Sequence, residues 1–168
     1  IGYNAFGDCD NILEVKIPDN VSVIEINAFC NCSKLSKIEL PDTTLDIHSS
    51  SFAGTAYSGD LNNWKNNVLY IGKHLINAKN SLLTGTYQII EGTITIADSA
   101  FDRNLVNSLG FTSVIIPNSV KKIGDNAFSS CTGLKNVFIG NGVVEIGEYA
   151  FSECTSLTEM KIPDSVLI

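Results

Sequence analysis

Apolar and polar residues alternate in a short stretch that recurs along most of the chain. In residues 35–41 the side chains of Leu35, Ile38 and Leu40 are apolar, the residues between them are mostly polar, and Pro41 follows. Alternation with a period of two predicts a β-strand that buries one face and exposes the other. Proline has no N–H to donate to a sheet, so the strand should end at Pro41. Equivalent prolines end the equivalent stretches, namely Pro18, Pro117 and Pro163.

The residues after each strand predict one turn of a coil. A V-x-x-I segment, as in Val120 to Ile123, predicts a second and shorter strand. Gly124 then allows a tight bend, and the A-F-x-x-C unit that follows predicts a helical or 3₁₀ turn. We expect the small Ala to lie where the chain passes close to its neighbour, and the Phe to fill the space between turns.

The whole unit recurs with a period of 23 residues, which predicts a solenoid. Residues 114–134 reappear in similar form at 137–157 and at 15–35. Each repeat of such an array buries its apolar face only against its neighbours, so the repeats fold together. Successive Phe residues of the A-F unit are separated by 23, 23, 49, 27 and 23 residues, which predicts about seven turns, one of them without its Ala-Phe pair.

This spacing predicts a single repeat domain over residues 1–168. Regular repeats should occupy 1–52 and 92–168, with an irregular interruption at 53–91. Ile1 begins at the phase that would follow Ile168, so neither end carries a polar cap. We therefore expect either further repeats in a parent protein or end-to-end self-association of this piece.

Composition narrows the classes of partner. The net charge is -7, and nucleic acids or anionic membrane surfaces attract basic surfaces instead. No apolar run is long enough to cross a bilayer, so we expect no membrane insertion. The hydrophobic share of 44% is sufficient for a core.

The cysteines follow the repeat and do not indicate redox or metal chemistry. Four of them stand three residues after the Phe of an A-F-x-x-C unit, where a small buried side chain is expected: Cys9, Cys32, Cys131 and Cys154. Disulfides between adjacent turns are conceivable but not required, because Thr55 holds the same place elsewhere. Cys30 lies at a different position, where a partly exposed free thiol is expected.

Residues for catalysis are scarce. His48 adjoins three serines, but it takes the bend position held by Gly124 in another repeat, which favours solvent exposure over a catalytic pair. His74 has no evident partner in the sequence. No nucleotide-binding, zinc-protease or calcium-loop motif is present. The sequence therefore predicts no catalytic, cofactor-binding or metal site, and a protein that is not an enzyme.

The full pattern L-x-x-I-x-I-P-x-S-V-x-x-I-G-x-x-A-F-x-x-C resembles the BspA-like leucine-rich repeats, over residues 1–51 and 93–168. These repeats are found in surface proteins of gut and oral bacteria and of some parasitic protists. The resemblance implies a curved, right-handed, horseshoe-like solenoid, an α/β superhelix with strands on its concave side. It also implies an extracellular or cell-surface protein with an adhesive role.

The interruption departs from this pattern. Val68 to Ile71 and His74 to Asn77 flank Gly72-Lys73, which predicts a hairpin, and Leu75 falls where the missing Phe would be. A structural role is the simpler interpretation, since the stretch resembles an interruption common among such repeats. The alternative is a specialised binding loop formed by Trp64, Tyr70 and His74. At the second irregularity, residues 102–110, we expect a short helix.

The concave face is the leading candidate for a contact site. In each strand, the residue between two buried apolar positions points away from the core. Ile115 and Phe138 stand in adjacent turns and should lie roughly 5 Å apart, the usual distance between strands. Scattered surface hydrophobes are also normal in proteins. The candidate residues on this face are Ile115, Phe138, Asn136, Glu159, Lys161, Gln88, Glu39 and Lys16.

Two functions fit the sequence. The first is a non-enzymatic adhesion module on a cell surface, which binds a protein or glycan partner through the solenoid. The second is a structural spacer that projects another domain and has no ligand of its own. A cluster of exposed aromatic and apolar residues on the concave face would favour the first.

Overall fold

The computed structural model describes residues 1–79, 82–101 and 111–167, which form a solenoid of short strands. The interruption contains α1 at Ala56–Gly59 and a 3₁₀ turn at Leu61–Asn63. The strands in chain order are β1 Glu14–Lys16, β2 Val23–Ile24, β3 Lys37–Glu39, β4 Asp46–Ile47, β5 Trp64–Lys65, β6 Val68–Ile71, β7 His74–Ala78, β8 Gly85–Gln88, β9 Thr95–Ile96, β10 Phe111–Ile116, β11 Lys122–Ile123, β12 Asn136–Ile139, β13 Glu145–Ile146 and β14 Glu159–Lys161.

Each regular turn contributes one strand to each of two rows. In the row of longer strands, neighbouring turns pair in parallel with the repeat register, for example Glu14 with Lys37 and Val114 with Val137. This row forms two separate sheets, β1-β3 and β14-β12-β10-β8. The row of two-residue strands runs β13-β11-β9 and then continues into the hairpin strands β7, β6 and β5, with β2-β4 apart.

Stacked aromatic rings fill the centre of the coil, as the repeated Phe predicted. The ring centroids of Phe6 and Phe29 lie 5.0 Å apart and those of Phe29 and Phe52 lie 5.3 Å apart, with nearly parallel planes. Phe128 continues the second stack, 4.5 Å from Phe101 and 5.2 Å from Phe151. Within the described residues, six turns place a Phe in this way, the number expected when one of about seven turns lacks its Ala-Phe pair.

The A-F-x-x-C unit is a series of tight turns and not a continuous 3₁₀ helix. Its N–H groups do donate to the carbonyl three residues back, as in Ala28 to Glu25 and Cys30 to Asn27. However, Asn27 and Asn31 have φ values of 61° and 59°. Asn tolerates this left-handed backbone better than most residues, and each such residue redirects the chain.

Three of the repeated cysteines, Cys32, Cys131 and Cys154, are buried as expected, whereas Cys9 is half-buried. The buried thiols donate to carbonyl groups of the preceding turn. The thiol of Cys32 donates to the carbonyl of Phe6 at 3.0 Å, and that of Cys154 donates to Phe128 at 3.2 Å. Burial raises the pKa of the Cys154 thiol, so it stays protonated. All five cysteines are thiols, and Cys30 is half-buried.

The predicted hairpin is confirmed. β6 and β7 pair antiparallel around Gly72, whose φ of +56° fits the first central position of a type II′ turn, and β5 adds a third strand. Leu75 was assigned wrongly, because it pairs with Ile96 and so stands at the isoleucine of the short strand. Ala78 donates to the carbonyl of Ala100, the bond that Phe makes in regular turns. The expected helix at 102–110 lies outside the described residues.

The two regular arrays also touch each other directly beside this hairpin. The N–H of Asp98 donates to Ile47 at 2.8 Å, and the N–H of Ser49 donates back to Asp98 at 3.0 Å. The ammonium of Lys122 contacts the carboxylates of Asp46 and Glu145, the latter at 2.7 Å. Burial lowers the pKa of Lys122, but its hydrogen bonds to both carboxylates outweigh that effect and raise the pKa above its usual value.

Candidate interaction surface

The strands β10, β12 and β14 bring the predicted contact residues of the second array together. Val114 and Val137 point inward and are buried, so the residues that alternate with them point outward. Asn136 pairs with Glu159, and Phe138 lies between Ile115 on one side and Lys161 on the other. The predicted adjacency of Ile115 and Phe138 is therefore confirmed.

Phe138 stands at the centre of a shallow depression. Its side chain is 58% exposed, although it belongs to the middle strand of three. The depression has a volume of about 360 Å³ and takes in the ends of β12 and β14. We call it the Phe138 patch, and its lining residues are Asn136, Val137, Phe138, Ile139, Asn141, Glu159, Lys161 and Pro163.

The polar side chains of the patch differ in whether they form hydrogen bonds or ion pairs within the chain. The side-chain amide of Asn136 donates to the hydroxyl of Ser113 at 3.1 Å, which fixes it beside Phe138. Among residues 1–79, 82–101 and 111–167, neither Glu159 nor Lys161 has an ion-pair or side-chain hydrogen-bond partner. The negative group of Glu159 and the positive group of Lys161 therefore both stand on β14, on one side of the ring, without an ion-pair partner in this part of the chain.

The remaining predicted residues do not all belong to this surface. Ile115 is half-buried beside Phe138, and Gln88 is exposed on β8, at the far edge of the same sheet. Lys16 and Glu39 lie in the separate sheet β1-β3 and pair with each other at 3.5 Å. Lys16 and Glu39 therefore belong to a different sheet from Phe138, because the interruption separates the two sheets.

The charged side chains on the outward face of β1 and β3 are paired with one another. Lys37 contacts Glu14 at 2.6 Å and Glu39 at 3.4 Å. These carboxylates raise the pKa of Lys37, and Lys37 together with Lys16 lowers the pKa of Glu39. All of these side chains are well exposed, so the pairs contribute little to stability.

The alternative binding loop is wrong for two of its three residues. His74 is fully buried, its Nε2 lies 2.8 Å from the carbonyl of Pro41, and burial lowers its pKa. Tyr70 is buried and its hydroxyl lies 2.9 Å from that of Tyr87. Only Trp64 is partly exposed, with the ammonium of Lys79 4.3 Å from its ring centre. Both strands of the hairpin pack into the solenoid, so their side chains cannot reach a partner.

His48 is half-buried, which corrects the expectation that it would be solvent-exposed. Its Nδ1 lies 2.9 Å from the hydroxyl of Ser50 and accepts the backbone N–H of Ser50 at 3.1 Å. Since the same lone pair already accepts that N–H, it is poorly placed to remove a proton from the hydroxyl. The hydroxyl of Ser50 in turn accepts the N–H of Asn27 at 3.3 Å. This network closes the bend between adjacent turns.

Neither a candidate metal site nor a candidate membrane-spanning helix is present in the part of the chain that the structure describes. No group of three or more His, Cys, Asp or Glu side chains there is arranged to hold a metal ion. No helix there has the length and apolar character needed to cross a bilayer.

Sequence reasoning missed four residues of the patch, namely Val137, Ile139, Asn141 and Pro163. The last three follow the outward positions of β12 and β14, where the chain turns away from the sheet. The backbone N–H of Asn141 donates to the side chain of Asn118 one turn earlier, at 2.8 Å. The signal was present in the repeat, since Asn118 and Asn141 occupy the same place after the strand.

Comparison with known proteins identifies the family. The model of the BspA type leucine rich repeat region matches six copies, over residues 1–111 and 95–168. The chain therefore belongs to the BspA-type leucine-rich repeat family. A comparison with curated proteins finds no significant match.

Solved structures of bacterial repeat proteins share the fold. A leucine rich cell surface protein from Faecalibacterium prausnitzii is 25% identical, with a TM-score of 0.58, and the match covers 97% of this chain and 51% of that one. The pneumococcal vaccine antigen PcpA is 18% identical, with a TM-score of 0.56, and the match covers 91% and 45%. This chain thus spans about half the length of the Faecalibacterium protein. Repeats of this family and fold are typically non-catalytic.

Proposed function

We propose that this chain is a non-enzymatic interaction module of a bacterial surface protein, and that it holds a protein or glycan partner on the Phe138 patch. The observation that carries the proposal is the exposure of Phe138 in the middle of a sheet, within a depression that also contains polar groups. Burial of an aromatic ring at the centre of a polar rim is a common source of binding energy in interfaces.

An extracellular or cell-surface location is part of the same proposal. It is supported by membership of the repeat family and by the description of the Faecalibacterium prausnitzii structure as a cell surface protein. The non-enzymatic character is supported by the family and by the engaged state of the His48 lone pair.

The second candidate function is a structural spacer, and a specific observation favours it for the first array. On β1 and β3 the exposed charges pair with one another, which leaves a face without an evident site. End-to-end self-association of the isolated chain stays a prediction, and sedimentation velocity over a range of concentrations tests it.

The test is binding of the purified chain to an array of host matrix proteins and glycans. We expect binding to be lost in Phe138→Ser and in the double variant Phe138→Ser/Ile115→Ser. Leu13→Ser is the matched control, because Leu13 is also an exposed apolar residue but lies outside the patch. Circular dichroism and thermal melting must show that all variants fold. Binding that survives the Phe138 substitutions would remove the patch from consideration, and no binding by the native chain would favour the spacer.

A further inference from the structure

The two arrays use charge differently at equivalent positions of their outward faces. On β1 and β3, Glu14 faces Lys37 and Lys16 faces Glu39, and both facing pairs are in contact. On β14, Glu159 and Lys161 take the places of Glu14 and Lys16, but their neighbours on β12 are Asn136 and Phe138. The neighbours on β12 are uncharged, and neither of these two charges has an ion-pair partner among the described residues.

The spacing of these groups fits an extended peptide. Glu159 and Lys161 are two residues apart on one strand and point to the same side, which separates their Cα atoms by about 6.6 Å. An extended peptide repeats its side chains on one face with the same interval. A basic and an acidic residue at positions i and i+2 of such a peptide can therefore meet Glu159 and Lys161 together. Phe138, opposite Lys161, offers an apolar contact for a neighbouring side chain.

Glycans satisfy this combination less well. A neutral sugar that covered Phe138 would hydrogen-bond Glu159 and Lys161 through its hydroxyl groups but would not neutralise their charges. An anionic glycan would pair with Lys161 but would be repelled by Glu159, two residues away. A segment with one charge of each sign compensates both groups.

We propose that the Phe138 patch binds an extended protein segment with an apolar side chain on Phe138 and a basic and an acidic side chain, two residues apart, on Glu159 and Lys161. This inference rests on the proposed function of the patch. Because Phe138 pairs with Lys161, the apolar side chain lies beside the acidic residue of the segment, whichever direction the segment takes along β14.

The experiment selects a displayed library of random linear peptides against three purified proteins. The first is the native chain, and the second is the charge-exchanged variant Glu159→Lys/Lys161→Glu, which keeps the net charge and Phe138. We expect the native chain to enrich peptides with a basic and an acidic residue two positions apart beside an apolar residue. The variant should enrich the pattern in which the apolar residue lies beside the basic residue instead of the acidic one. A peptide selected on the native chain should bind the variant at least about tenfold more weakly.

The third protein is the matched control Lys16→Glu/Glu39→Lys, which exchanges a charge pair of the first array. It should enrich the same peptides as the native chain. A further variant, Glu159→Gln/Lys161→Gln, should still bind apolar peptides but lose the charge pattern. Circular dichroism and melting check the fold of each variant, whose substituted side chains are all in exposed or half-exposed positions.

The outcomes separate this inference from the proposal on which it rests. Peptides without a charge pattern, or the same peptides from the native and charge-exchanged proteins, would overturn the inference. Glycan binding that depends on Phe138, with no peptide enriched, would also overturn it while leaving the patch as a binding site. If no ligand binds in a way that depends on Phe138, both the inference and the proposed function of the patch are contradicted.

Discussion

The two regular arrays, residues 1–52 and the described part of 92–167, share a core and differ in their surfaces. Inside, both stack Phe rings at separations between 4.5 and 5.3 Å. Outside, the first presents charges that pair with each other, and the second presents Phe138 between uncharged and unpaired polar groups. Stacking fixes the buried positions because each ring must fit its neighbour, whereas the outward positions can vary without loss of the fold. Differences in function are therefore expected at the outward positions.

The largest effect should separate two phenylalanines of the second array. Phe128 is fully buried between Phe101 and Phe151, so Phe128→Ala should lower the free energy of unfolding by about 3–5 kcal/mol. Phe138→Ala removes an exposed ring and should change it by no more than about 0.5 kcal/mol. Urea denaturation followed by circular dichroism measures both. Similar losses would contradict the division between core and surface.

A smaller loss should follow from separation of the arrays at Lys122. Its ammonium joins Asp46 of the first array to Glu145 of the second, and its side chain is 11% exposed, against 49% and 35% for the two carboxylates. Since the carboxylates can be rehydrated, Lys122→Ala should cost about 1–3 kcal/mol in unfolding free energy. The control Lys16→Ala, in an exposed pair, should change little. Because the folded-state pKa is raised, the contribution of Lys122 should persist at neutral pH and disappear as the pH rises through that pKa.

The hairpin between the arrays should weaken in acid because of His74. Burial lowers the pKa of His74, and the nearby Asp42 raises it only partly. The unfolded chain therefore binds a proton more readily, so stability should fall as the pH drops below about 6.5 toward the folded-state pKa. His74→Gln can keep a donor for Pro41 but does not titrate. Fluorescence of Trp64, the single tryptophan, reports on this sheet during unfolding at each pH. An equal acid response in both proteins would exclude His74 as the cause.

Asp98, at the contact between the arrays, should make the free energy of unfolding depend on pH with the sign opposite to that of His74. Burial, with Asp125 nearby, raises the pKa of Asp98 to about 6, despite a hydrogen bond from the N–H of Asp125. The folded state thus holds the proton more tightly, and the resulting stability is full below about pH 4 and lost as the pH rises through 6. Asp98→Asn keeps the acceptor and should flatten this part of the profile. Melting temperatures of both proteins between these pH values measure the difference.

Much of the fold followed from residues that act locally or through the repeat. The period placed Phe29 and Phe128 in the core, because each must pack on its own equivalent one turn away. Gly72-Lys73 located the hairpin through turn chemistry alone. The pairing of Phe138 with Ile115 followed from the same register.

The tertiary structure decided what the period does not contain. His74 and Tyr70 are buried because the hairpin packs against residues at unlike positions of the repeat, Pro41 and Tyr87, and no pattern in the sequence links these pairs. The insertion also divides one row of strands into two sheets and leaves Lys122 to join Asp46 across 76 residues of sequence. A repeat encodes contacts between equivalent positions, so contacts between unlike positions become visible only once the chain has folded.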